Sequence, residues 1–258
     1  MSDRAVSEVI SYVLVFGLIV SAVAIISVSG LSTLQDVRND EQIDNAERAF
    51  DILSDNVEDI YRRGAPSRAT EISLGEAELS TGSNVTMRVE IDETADGTYN
   101  VDEDFERNVR PVVYSGDDNR KLVYEAGAVF RTNRDGGVTV QEPPFLVDEE
   151  RVHLPVVGLN RPGVQSLGGS TVLVRTNLRS RTVEYEDTGD TVEEIRIQIL
   201  ESEHGDQWVD YLQSEGFTDC QSVTVGGDDG VQCDFNPDPS TIDIVYVVDY
   251  DIEVNIDP

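Results

Sequence analysis

The sequence predicts an α+β protein: one long N-terminal helix, then a mainly antiparallel β-sandwich head that carries one short helix. Three observations predict it. An uncharged apolar run opens the chain from Val9 to Ser29. A spacing of three and four apolar residues then continues to Ile60. Beyond Pro66 the apolar period becomes two, and turn residues punctuate it at short intervals.

The apolar run comes first. Twenty-one helical residues reach about 31 Å, enough to cross the hydrocarbon core of a bilayer. Its serines are tolerable because a hydroxyl can bond back to a carbonyl one turn earlier. After Leu31 and Leu34 the chain turns polar but stays periodic. Ile43, Ala46, Phe50, Leu53, Val57 and Ile60 fall on one stripe, with Asp44, Glu47, Arg48, Asp51, Asp55 and Glu58 around it. The stripe is too short to require a coiled coil and fits a helix packed on its own domain. "RRGAP" at 62–66 ends it, with arginines in the last turn, a glycine cap and a proline that cannot continue. The helical part thus divides into an apolar segment, 6–30, and an amphipathic stalk, 31–64.

The head, 65–258, is read as strands. "VTMRVEI" (85–91), "EEIRIQIL" (193–200) and "DIEVNI" (251–256) alternate strictly. Further strands are expected near 70–74, 110–114, 121–124, 128–132, 138–140, 152–157, 171–176, 181–186, 222–225, 231–235 and 242–248. "GDQWVDYLQSEGF" (205–217) breaks the pattern and fits a short helix, with Trp208 as a core residue.

The chain carries 51 acidic and 19 basic residues, a net charge of −32. That excess opposes nucleic acid, whose binding requires cations to neutralise phosphates, and opposes anionic membrane surfaces. Lys121 is the only lysine. With 39% hydrophobic residues in ordered patterns, the chain reads as folded rather than disordered. An acid-coated fold is self-repelling unless salt screens it, and the composition resembles that of haloarchaeal, salt-adapted proteins.

Catalytic and metal motifs do not emerge. No nucleophile elbow, phosphate-binding loop, dinucleotide fingerprint or zinc-protease pair occurs in the sequence, so no enzyme, cofactor or metal is expected. His153 reads as a strand residue, and His204 stands at a helix start. "DETADG" (92–97) and "GGDDG" (226–230) gather oxygens without the ligand spacing of a calcium loop and read as hairpin turns. Asn84 in "NVT" fits an N-glycosylation acceptor at the start of a strand. Cys220 and Cys233 flank a Gly-rich turn; they form either a cross-hairpin disulfide, if the head lies outside the cell, or a pair of buried thiols.

The start of the chain, "DRA-VSEVI", sets an arginine and a small residue directly before the apolar helix. Here the sequence resembles archaeal, in particular haloarchaeal, type IV pilins and the related archaellins. The resemblance covers roughly residues 3–35. It implies a leader, 1–5, removed by a prepilin peptidase, with Arg4 two positions before the cut, Ala5 at it, and Val6 and Ser7 opening the mature chain. In bacterial pilins the fifth mature residue is a glutamate that can pair with a neighbouring amino terminus; here Glu8 would be third.

A retained apolar helix must lie in lipid or among other helices, and Gly17, Ser21, Ala22 and Ala24 would permit close approach. The expected function is a pilin-like surface subunit, minor rather than major given its large head, in a filament or adhesion structure. Its expected partners are membrane lipid, prepilin peptidase and other pilin-like subunits. The alternative is a single-pass tether, head outside the cell, bearing a carbohydrate-binding or enzymatic domain.

Overall fold

The computed structural model describes residues 3–93, 99–116, 119–134, 136–160, 166–169, 171–189, 191–237 and 241–258, without the side chains of 3–9, 28, 30–32, 35 and 36. Helix α1 spans Asp3–Arg63. Contacts divide the chain into two units, Met1–Asp44 and Asn45–Pro258.

The first unit is helical. Within it Ile10–Ser27 has a mean hydropathy of 2.5 and none of its residues is buried. Tyr12, Leu14, Phe16, Leu18, Ile25 and Ile26 all stand in the open. Thr33 donates its hydroxyl to the Ser29 carbonyl at 2.9 Å, the back-bond that lets a helix carry hydroxyls without leaving them unsatisfied.

The second unit begins with the end of α1. Ala46, Phe50, Leu53, Val57 and Ile60 are buried, as their spacing predicts. The helix stops at Arg63, and the Gly64 N–H bonds the Ile60 carbonyl. Sixteen strands and a second helix follow among the described residues.

The strands fall into three sheets. The first, sheet A, is ordered β1 (Ser67–Ser73), β12 (Thr171–Asp187), β16 (Ile244–Asp257), β10 (Arg151–Asn160) and β9 (Leu146–Val147). In sheet B the order is β11 (Ser166–Gly168), β2 (Glu78–Thr81), β5 (Val112–Ser115), β6 (Lys121–Glu125), β7 (Ala128–Asn133) and β8 (Gly136–Gln141). Sheet C runs β14 (Thr218–Val225), β15 (Asp228–Phe235), β13 (Glu194–Leu200), β3 (Val85–Asp92) and β4 (Glu103–Val109).

Among the described strands pairing is antiparallel except for β10 and β16, which run parallel. Alternation in a sequence says which residues share a face, not which strands are neighbours, so neither the three-sheet division nor the parallel pair is visible in it. The expected strands 171–176 and 181–186 form one strand, β12, bent by register shifts at Leu178/Ser180 and Val183/Tyr185. Likewise 242–248 and 251–256 merge in β16.

Each face of sheet A is covered. One carries Tyr250 against Tyr61 of α1, ring centroids 5.7 Å apart, and Thr70, whose hydroxyl accepts from Asn56 at 2.9 Å. Opposite that face, Val152, Leu154, Val156, Val245 and Val247 join the alternating apolar residues of β3 and β13 in one core. Trp208 of α2 (Gly205–Ser214) closes this core beside Phe130 of β7 and Phe145. The β14–β15 hairpin turns on Gly226 and Gly227, whose φ angles of +65° and +108° suit a tight two-residue turn.

Candidate functional sites

Two features of the chain have the makings of a site. The first is the exposed apolar stretch of α1. Arg4, Ala5, Val6, Ser7 and Glu8 fall in the opening turns of that helix, and their side chains lie outside the described residues.

The second is a cleft within the second unit, one no single stretch of sequence announces. Its floor is one face of sheet B. The register pairs Ser80 with Val113, Val113 with Val123, and Ser115 with Lys121, so all five side chains point the same way, with Glu125 next in line on β6. The walls are the 82–83 loop and the segment Glu201–His204 that leads into α2. Together they enclose a cavity of about 470 Å³. A second, more open hollow of about 610 Å³ shares Lys121, Glu203 and His204 with it.

Glu125 is the deepest polar group, only 1% exposed. Its Oε1 accepts from the Trp208 indole N–H and from the Ser202 hydroxyl, each at 2.7 Å. Ser202 Oγ in turn accepts the His204 backbone N–H at 3.1 Å. Burial raises the Glu125 pKa, and the two donated hydrogen bonds only partly counter it. The proton is therefore held to higher pH than in an ordinary glutamate.

His204 is 3% exposed and lies against Phe130, ring centroids 4.8 Å apart. Its Nδ1 is buried without a hydrogen-bond partner. Burial lowers its pKa to about 4, so the ring is neutral near pH 7. Lys121 Nζ sits 3.1 Å from Glu203 Oε2 at the rim. Glu201 adopts a left-handed backbone, φ +61°, clasped by a pair of hydrogen bonds with Asp229: the Glu201 N–H donates to the Asp229 carbonyl, and the Asp229 N–H to Oε1. Among the described residues no group of three His, Cys, Asp or Glu side chains is placed to hold a metal ion.

The remaining sequence candidates disperse. Asn84 is exposed just before β3, and its Oδ1 accepts from Arg110 Nε at 3.0 Å. His153 lies in β10 against Tyr246. Cys220 and Cys233 are bonded across the β14–β15 hairpin, Cα atoms 4.1 Å apart. "GGDDG" is a hairpin turn whose last three residues already belong to β15, while residues 94–97 of "DETADG" lie outside the described residues. The one signal in the sequence that could have pointed to the cleft is Lys121, the sole lysine of an arginine-rich chain; Glu125, just before an Ala-Gly turn, looks like any solvent-facing turn acid.

A family described only as a family of unknown function, DUF7289, matches residues 4–255. The chain belongs to DUF7289. The match opens at Arg4 and runs through the apolar helix into β16, so the family model covers helix and head together. No curated protein and no solved structure matches the chain.

Proposed function

We propose that this chain is a pilin-like surface protein, cut by a prepilin peptidase between Ala5 and Val6 and held in the membrane by the apolar part of α1. Its head stands outside the cell and serves a structural or adhesive role as a minor subunit of a type IV pilus-like filament. The observation that carries this reading is the complete exposure of Ile10–Ser27 at a mean hydropathy of 2.5. In water such a surface must be covered, and lipid or the apolar helices of neighbouring subunits are the two environments that suit it equally. A subunit can therefore pass from one to the other. The family match spans helix and head alike, and the periodic helix that continues from the apolar run into the head, α1 from Asp3 to Arg63, supports retention.

Shearing of surface filaments, followed by mass spectrometry of filament and membrane fractions, tests the proposal. Recovery of head peptides with the filaments supports it. Full recovery in the membrane, with none in filaments, would instead favour a single-pass tether displaying a ligand-binding domain. That second reading draws on one observation, the polar cleft of sheet B. Protease added to intact cells should digest the head under either reading.

A further inference from the structure

The cleft on sheet B is built unlike a packing fault. A face of an antiparallel sheet that is not packed on a core normally shows polar residues to water. Here the unpacked stretch of β2, β5 and β6 sets two valines, Val113 and Val123, in the middle and hydroxyls and charges around them. At its deep end sit a carboxyl group 1% exposed and an imidazole 3% exposed. The imidazole carries a buried nitrogen with no partner. Buried polar atoms are almost always satisfied, and His204, which carries this exception, is one of the residues that line the cleft.

We infer that this cleft binds a neutral, hydroxyl-rich ligand of sugar size. Charge narrows the class. Glu125, Glu201 and Glu203 face a single Lys121, which excludes phosphates, nucleotides and acidic peptides. A cation is poorly served too. Glu203 is already paired with Lys121, Glu201 Oε1 accepts the Asp229 N–H, and Glu125 Oε1 takes two donors, and among the described residues no group of three His, Cys, Asp or Glu side chains is placed to hold a metal ion. What remains free suits hydroxyl groups: Ser80, Ser83 and Ser115, each able to donate and accept. The two valines supply an apolar floor for the C–H face of a sugar ring. A volume of about 470 Å³ lies within the ~300–1,000 Å³ usual for small-ligand pockets. The inference is independent of whether α1 lies in a bilayer or a filament.

The molecule carries its own reporter, because Trp208 is the only tryptophan and its indole N–H is bonded to Glu125. The full chain, held in a polyoxyethylene detergent that has no sugar headgroup, is titrated while Trp208 emission is followed. The titrants are glucose, galactose, mannose, N-acetylglucosamine and their common disaccharides, with inorganic phosphate and spermidine as charged controls. A saturable change with at least one neutral sugar, and none with the controls, is expected. Ser83→Phe, on an exposed loop at the mouth, should abolish it. Ser115→Ala, which removes one hydroxyl from the cleft floor, should raise the half-saturating concentration about fivefold, the worth of one neutral hydrogen bond. Both variants should melt as the parent does; if Ser83→Phe fails to fold, Ser115→Ala decides alone. Silence across the sugar panel, a response confined to phosphate or spermidine, or a sugar response unchanged in the folded variants would overturn the inference.

Discussion

Glu125→Ala probes the hydrogen-bonded wall between sheet B and α2. The substitution removes the acceptor of two hydrogen bonds of 2.7 Å. Trp208 is fully buried, so its N–H finds no water in exchange. An orphaned buried donor costs about 1–3 kcal/mol. Adding the half-buried Ser202 hydroxyl and the lost side-chain packing brings the expected destabilisation to about 3–5 kcal/mol. For a folded unit of this size that is a fall in Tm of roughly 10 °C. Glu125→Gln keeps an acceptor oxygen and should stay within about 1 kcal/mol of the parent. The pair also has a pH signature. Burial raises the Glu125 pKa, so the native state holds a proton that the unfolded chain has already released. This group's contribution to stability is greatest at low pH and declines as pH rises above the ordinary glutamate range. Glu125→Gln should remove that decline. Thermal melting followed by Trp208 emission and by far-UV circular dichroism, across pH, measures both effects. A Glu125→Ala protein melting within about 2 °C of the parent would refute the reasoning.

Other expectations concern separate parts of the chain. N-terminal sequencing of membrane-extracted protein should begin at Val6, with Arg4→Ala slowing the cut; a chain beginning after Ser29 would sink the anchored reading. Alkylation before reduction should label neither Cys220 nor Cys233, and replacing the pair by serine should cost about 3 kcal/mol or less, since the closed loop is short. Asp249 lies beside Arg107, Oδ1 to Nε 3.3 Å, yet burial outweighs that cation and raises its pKa to about 6. Its native form keeps a proton longer than the unfolded chain, so its share of stability falls as pH climbs from the ordinary aspartate range towards 6. Asp249→Asn should flatten the Tm profile over that window, and an unchanged slope would remove Asp249 as its source.

The sequence made the helices and most strands legible because burial there is periodic. Phe50, Leu53 and Val57 recur at helical spacing, and Ile195, Ile197 and Ile199 at strand spacing, and each set is buried. β4 escaped notice because "EDFERNV" carries mostly charged residues. It is an edge strand held by main-chain bonds to β3, where side chains give little signal. β9 and β11 are too short to show a period. Residues 177–180 of β12 hide for another reason: they are mostly polar, and the partner strand β16 supplies the order. The cleft was illegible because it is assembled by pairing. Ser80, Val113 and Val123 share a face only through the register of three strands, and Ser202 reaches Glu125 across 77 positions.

The position of β16 bears on how the protein is made. Among the described strands it is the last to leave the ribosome, yet it lies at the centre of sheet A, flanked by β12 and β10. Asn160 meets Asp251 across 91 positions of chain. Until residues 244–257 emerge, β10 and β12 each present an unpaired edge, and the face that receives α1 lacks its middle row. Assembly of this sheet is thus a late, non-local event, slow compared with formation of the helix that precedes it. A chain interrupted before Ile244 would expose two long strand edges and is a substrate for aggregation or proteolysis rather than a smaller folded protein.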